Sequence, residues 1–374
     1  MSTYAFPIKI GLIVFPIIAL LITIPFMIKQ YHKYGAIPFM RTFIVYSFIL
    51  YLLVAWFMVI LPLPKIEVVE KMTGPWTQLI PFKGLKDIMD NTNFNILNFS
   101  TYITTLKNPI VYTVIFNFFL TLPFGVYLRY YFNRKWWEVI ILSFMLSLFF
   151  EVTQLSCLFG IYPRPYRLFD VDDLIVNTTG GLLGYLITPI FSKILPTREQ
   201  LDEKSYNMGE KVSYPRRLTA TLIDFVIVCL ITFSGILKRD FLDLSILMLI
   251  FLLYHMLFTV LFKGRTIGKL IVGIRIVSQD ERKAKLHQIL IRYVVKYIIY
   301  FEIFHATLSL GSLEKLGHFG DVLVIVLFIS LIVLYLITFI QIIKKNTPLV
   351  YETMSNTKHI STIKNKYKKE EKTN

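Results

Sequence analysis

Residues 151–184 read EVTQLSCLFGIYPRPYRLFDVDDLIVNTTGGLLG, and the interruption of apolar helix by charge in this stretch decides the fold. Glu151 and Gln154 stand three apart at the end of an apolar run, so they project from nearly the same face of a helix. Arg167, Asp170, Asp172 and Asp173 follow, and Asp173 and Asn177 share a face at four-residue spacing as the next apolar run opens. An ionisable group within a bilayer costs several kcal/mol, about 2.5 to 3.5 on insertion scales, so one placed there marks function by default. Composition supplies the bilayer. With 55% hydrophobic residues, 17% charged residues and a mean hydropathy of +0.60 over 374 positions, the chain carries more apolar surface than a soluble core hides.

Runs of roughly 20 apolar residues, enough to cross about 30 Å of hydrocarbon, recur along the chain. Nine are expected: Ile8–Ile28, Thr42–Leu63, Pro109–Leu128, Val139–Leu158, Leu174–Leu195, Leu218–Leu237, Leu244–Phe262, Tyr293–Leu313 and Asp321–Ile343. The fold class is therefore all-α, a polytopic helical membrane protein of about nine transmembrane helices. The connections after the first, third, fifth, seventh and ninth runs hold more than half of the 40 Lys and Arg residues. Basic loops stay on the cytoplasmic side, which predicts an outside N-terminus and a cytoplasmic C-terminus, with Glu151, Gln154 and the aspartate loop toward the exterior. Only Lys9 precedes or enters the first run and no small-residue cleavage pattern follows, so it reads as a retained helix. The net charge of +16 is spread over membrane-flanking loops and a Lys-rich tail, a pattern for topology and anionic lipid and not for nucleic acid. Cys157 and Cys229 fall in different runs and read as packing residues.

A hydrophilic connector, residues 196–215, separates five runs in residues 1–195 from four in residues 216–360, with a tail at 361–374. Pro64 to Asn108, with Trp76, Pro81 and Phe82 near its middle, reads as a segment lying along the membrane interface. The first half resembles the VanZ-like family: Leu79 to Phe82, Asn117, Pro123, Phe124 and Gly125, then Glu151, Gln154, Arg167, Asp170, Asp173, Asn177, Gly180 and Gly184 keep that family's order and approximate spacing. Pro163, Arg164 and Pro165 lengthen the loop before Arg167. The second half resembles the RDD family in Arg217, Ala220 and Asp224, in Gly264, Thr266, Gly268, Lys269, Gly273 and Arg275, and in Arg292. Tyr351, Glu352 and Thr357 lie where that family has an aspartate before a threonine, so Glu352 stands for the usual acid.

The VanZ-like resemblance implies a multi-pass protein of the bacterial plasma membrane, and the family's founding activity is low-level resistance to teicoplanin. The RDD resemblance brings a second expectation, a cation- or proton-coupled transporter using Asp224 and Glu151 as carriers. The residues themselves offer chemistry for the first. Arg167 can pair with a carboxylate or grip an anionic headgroup through its fork. Asp170, Asp172 and Asp173 can supply oxygens to a divalent cation, which would hold a lipid diphosphate; no dedicated protein metal site or other cofactor is expected. The partner expected is membrane lipid, with a polyprenyl-linked cell-wall precursor the leading ligand.

The plainer readings stand beside these. Glu151, Gln154 and Asn177 can hydrogen-bond across helices at about 0.6 kcal/mol each, acids in a short outer loop can be simply solvated, and Asp224 can pair with Arg292 or Lys296. The whole chain then reads as a scaffold. Gly180, Gly181 and Gly184 read as close-packing residues. Gly264 to Lys269 has one residue too few between its glycines for a phosphate loop, and Leu270 stands where Ser or Thr is required. The six histidines show no metal spacing, and no residue reads as a nucleophile, so enzyme status and catalytic residues stay open, as does oligomeric state.

Overall fold

The computed structural model describes residues 2–92, 97–98, 100–193, 195–232, 244–297, 317–343 and 348–370. The chain divides into two units, Met1–Ile22 with Phe39–Leu201, and Thr23–Pro38 with Asp202–Asn374.

The first unit is built on α1 (Ser2–Tyr34, shared with the second unit), α2 (Phe39–Ile60), α3 (Pro109–Tyr130), α4 (Trp136–Leu155) and α5 (Val171–Ser192). Among the described residues these are the five helices long and apolar enough to cross a membrane. Local chemistry sets their starts. Asn108 caps α3 by accepting from the Ile110 N–H at 3.0 Å, with Pro109 in the first turn, and Asp170 caps α5 by accepting from the Asp172 N–H at 2.8 Å. Large apolar side chains such as Ile13, Ile17, Leu20 and Leu21 of α1 are exposed, the surface that a lipid environment covers.

Helices α3 and α5 meet through small residues. A Cβ on Gly180 would strike the Phe118 carbonyl, one on Gly184 the Leu122 carbonyl, and one on Gly125 the Gly181 carbonyl, while Gly181 faces the Ser143 hydroxyl of α4. Such backbone approach is what small residues supply where no water is present to drive association. Beyond α4 the chain reverses through Cys157, Leu158 and Phe159, all with positive φ, and closes a core of Ala55, Val59, Ile60, Val69, Phe150, Leu158 and Tyr162.

The described part of the expected interfacial segment is structured. It contributes strand β1 (Thr77–Gln78), which pairs in parallel with β2 (Phe169–Asp170), and a helix over Lys83–Asn91, while Trp76, Leu79, Ile80 and Phe82 remain exposed.

The second unit contains α6 (Arg198–Gly209, in large part), α7 (Tyr214–Ile231), α8 (Leu244–Leu261), α9 (Ile267–Ile271), α10 (Leu286–Tyr297), α11 (Gly317–Ile343) and α12 (Val350–Met354). Strands β3 (Ile274–Ser278) and β4 (Thr357–Ser361) form an antiparallel ribbon, Ile274 opposite Ser361 and Ser278 opposite Thr357. The all-α class thus carries two small sheets. The expected span from Tyr293 begins inside the amphipathic α10, and its remainder from residue 298 lies outside the described residues. The end of the span expected to close at Leu237 lies outside them as well, from residue 233 onward. Tyr31 of α1 packs with Ala220, Val272 and Ile274, and the His32 ring nitrogen lies 2.8 Å from the Ile271 carbonyl.

Candidate functional site

Five of the polar residues singled out in the first unit line one cavity of about 350 Å³: Glu151, Gln154, Arg167, Asp173 and Asn177. Asn117 joins them from α3. Glu151 and Gln154 come from the last turns of α4, Asp173 and Asn177 from the first turns of α5, as their spacing requires. Glu151, Gln154 and Asn177 are buried.

Each is held by a specific partner. The Glu151 Oε2 accepts from the Asp170 N–H at 2.9 Å, and the Asn117 amide donates to Asp173 Oδ1 at 2.7 Å. Asn177 donates to the Ser147 hydroxyl at 2.9 Å, while Thr121 donates to the Asn177 backbone carbonyl at 2.7 Å. The Asn177 Oδ1, by contrast, is buried with no partner among the described residues. A buried amide oxygen left unmatched costs about 1–3 kcal/mol, which a ligand donor would relieve.

The charged loop takes positions that the sequence leaves open. Arg167 makes no ion pair among the described residues; it donates to the Leu61 carbonyl at 3.1 Å from the cavity rim. The three aspartates do not converge on one cation. Asp172 accepts from the Phe82 N–H at 2.5 Å and the Gly84 N–H at 2.7 Å, Asp170 caps α5 and receives Gln78 at 3.4 Å, and only Asp173 faces the cavity. Among the described residues no group of three or more His, Cys, Asp or Glu is arranged to hold a metal. Burial, the leading influence, raises the Asp170 carboxyl above its ordinary range.

In the second unit Asp224 is completely buried and saturated. Its Oδ1 accepts from the Tyr254 hydroxyl at 2.9 Å and the Gly268 N–H at 2.7 Å, and its Oδ2 from the Thr266 hydroxyl at 2.5 Å. His255 stands 3.4 Å away and Lys269 4.0 Å, so the cationic neighbour is Lys269 and not Arg292 or Lys296. This also accounts for the glycine stretch that resembles a phosphate loop: the N-terminus of α9 is occupied by the chain's own carboxylate. Arg217 does not face Asp224. It donates to Glu352 at 2.9 Å, where Arg292 at 3.0 Å and His359 at 2.9 Å also converge.

Burial works against the Glu352 charge, but the His359 hydrogen bond and the Arg292 and Arg217 charges outweigh it and hold the carboxyl far below its ordinary range. Burial pushes Lys269 down to about 8. Arg216, which no sequence pattern marks, is fully buried and donates to the carbonyls of Val272, Gly209 and Gly273 at 2.8–2.9 Å. The adjacent Arg217 points elsewhere because neighbours on a helix diverge by about 100°.

Residues 48–192 match the VanZ/LLP1 family model, and residues 212–349 match that of the RDD family. The uncharacterized protein YckC of Bacillus subtilis (strain 168) is 36% identical over 113 residues, 29% of this chain and 72% of that protein. No solved structure matches.

Proposed function

Since the chain belongs to the VanZ-like family over its first part and to the RDD family over its second, we propose that its first unit holds the polar head of a lipid-linked envelope component in the cavity around Glu151, and so lowers susceptibility to teicoplanin-type glycopeptides. The observation that carries this reading is the cavity itself, a polar chamber of about 350 Å³ between membrane-crossing helices. Two carboxylates, three amides and one guanidinium line it. That set suits a head rich in hydroxyl or amide donors, received by Glu151, Asp173 and the unmatched Asn177 Oδ1, with Arg167 at the rim for a phosphate. A bare diphosphate would meet two acids, which makes a sugar- or peptide-bearing polyprenyl phosphate the better fit. With the orientation expected from the basic loops, the chamber faces the outer leaflet of the plasma membrane.

The test is teicoplanin susceptibility in cells expressing wild type, Glu151→Gln or Asp173→Asn. Wild type should raise the inhibitory concentration above empty vector and both variants should return it; equal values in all four strains would remove the reading. The transport expectation finds its opening at the same chamber, because Asp224 has its oxygens committed to Tyr254, Thr266 and Gly268. Cation-dependent proton flux in everted vesicles that survives Asp224→Asn but not Glu151→Gln would favour it over lipid binding.

A further inference from the structure

The second unit carries an open pocket of about 380 Å³ lined by four cationic side chains and by aromatic and aliphatic ones. Arg217, Lys269, Arg292 and Lys296 all line it, against Leu218 and Tyr351. The two buried acids beside these cations are already engaged, Glu352 by Arg217, Arg292 and His359, and Asp224 by three hydrogen bonds. Lys296 has no carboxylate within 4.0 Å among the described residues; its ammonium stands 5.9 Å from the centre of the Tyr351 ring. The Arg217 Nε is buried and likewise without an acceptor. Four cations against two acids leave the pocket short of negative charge, and among the described residues Lys296 has no acid of its own.

We propose that this pocket is a binding site for an anionic glycerophospholipid, its phosphate received by Lys296 and Arg217 and its acyl portion lying along Leu218. A phosphate in the pocket meets the Lys296 ammonium and the Arg217 guanidinium, both of which line it, and charge-assisted bonds of this kind are the stronger ones in a protein. The apolar wall selects for an amphiphile over a free anion, since bare phosphate gains nothing from Leu218 and Tyr351. Lys269, whose charge burial disfavours, gains a counter-ion in the bound state. The site is separate from the Glu151 chamber and does not depend on that reading.

The experiment uses the full-length protein in dodecyl maltoside micelles, titrated with dioleoylphosphatidylglycerol, dioleoylphosphatidylcholine or sodium phosphate, with thermal midpoint and native mass spectrometry as readouts. Phosphatidylglycerol should raise the midpoint and co-purify at one per chain, and phosphatidylcholine should do neither. Lys296→Gln should weaken phosphatidylglycerol binding about tenfold, the scale of one lost charge-assisted contact, and Lys296→Arg should restore it. Leu218→Trp, which fills the apolar wall and keeps every cation, should weaken it also. Lys366→Gln in the exposed tail removes the same charge and should change nothing. Equal response to the two lipids, equal loss from Lys366→Gln and Lys296→Gln, or full replacement of the lipid by sodium phosphate would each overturn the assignment.

Discussion

Glu352 shows how much one side chain can hold. Three basic side chains and the Leu349 N–H converge on it inside a buried site, so Glu352→Gln leaves two guanidinium groups facing a neutral amide, and loss of one partner in such a cluster costs about 3–5 kcal/mol. The pH dependence has a definite sign. The folded protein binds the Glu352 proton more weakly than the unfolded chain, whose carboxyl titrates near its ordinary 4.5, so this contribution is full above that value and drains as pH falls below it. Thermal midpoints in detergent should therefore drop more between pH 6 and pH 3 in wild type than in Glu352→Gln; parallel curves would refute the assignment. Asp172 is a second such case. Phe82 sits in the left-handed region at φ 62°, which costs about 1–2 kcal/mol, and the bonds that the Phe82 and Gly84 N–H groups donate to Asp172 compensate. Asp172→Ala should speed amide exchange at Phe82 and Gly84 by at least about tenfold while leaving Glu151 in place. Spacing alone placed Glu151, Gln154, Asp173 and Asn177 on facing helices, and the structure gathers them around one chamber. It did not separate Asp172 from Asp173, because a carboxylate at a helix start serves a cap, a neighbouring loop or a cavity according to a turn of about 100°. Nor did it show Glu352 as a hub, since the two arginines that reach it lie 60 and 135 residues away along the chain.

At the level of elements, the contact of α3 with α5 is set by backbone meeting backbone. A side chain at Gly184 has no flexible neighbour to displace, only the Leu122 carbonyl, so Gly184→Val should force the helices apart and lower stability by about 2 kcal/mol or more, read from thermal midpoints. Serine at the same place should cost less than valine. The long apolar helices are legible in sequence because an unbroken apolar run of that length suits a bilayer better than any soluble core. The short strands are not. β3, five residues inside a basic loop, becomes a strand only because β4 lies beside it from far along the chain, and β1 and β2 are two residues each. For α10 the apolar count misleads: Gln288, Ile289, Arg292 and Tyr293 are buried together on one face, an amphipathic helix whose composition resembles the start of a span.

For the whole molecule, the first helix is the informative element. Sequence places residues 1–195 together, yet Thr23–Pro38 packs with the second unit, where Tyr31 joins the core of Ala220, Val272 and Ile274. The polar end of this helix, with Lys29, Gln30, His32 and Lys33, reads from sequence as the edge of a span, and only distant partners show that it packs with the second unit. A chain beginning at Asp202 would lack that packing, and removal of a buried tyrosine from a core costs about 3–5 kcal/mol. Such a fragment should aggregate on size-exclusion chromatography, and a version preceded by residues 23–38 should elute as a monodisperse species more often; identical profiles would contradict the division. The ribbon of β3 with β4 adds a matter of timing. Its second half, together with the Ser361 hydroxyl that lies 3.3 Å from the Arg216 guanidinium, leaves the ribosome long after the first half. In that interval a nascent polypeptide carries an unzipped edge, and the second unit shuts only when translation has run past Ser361.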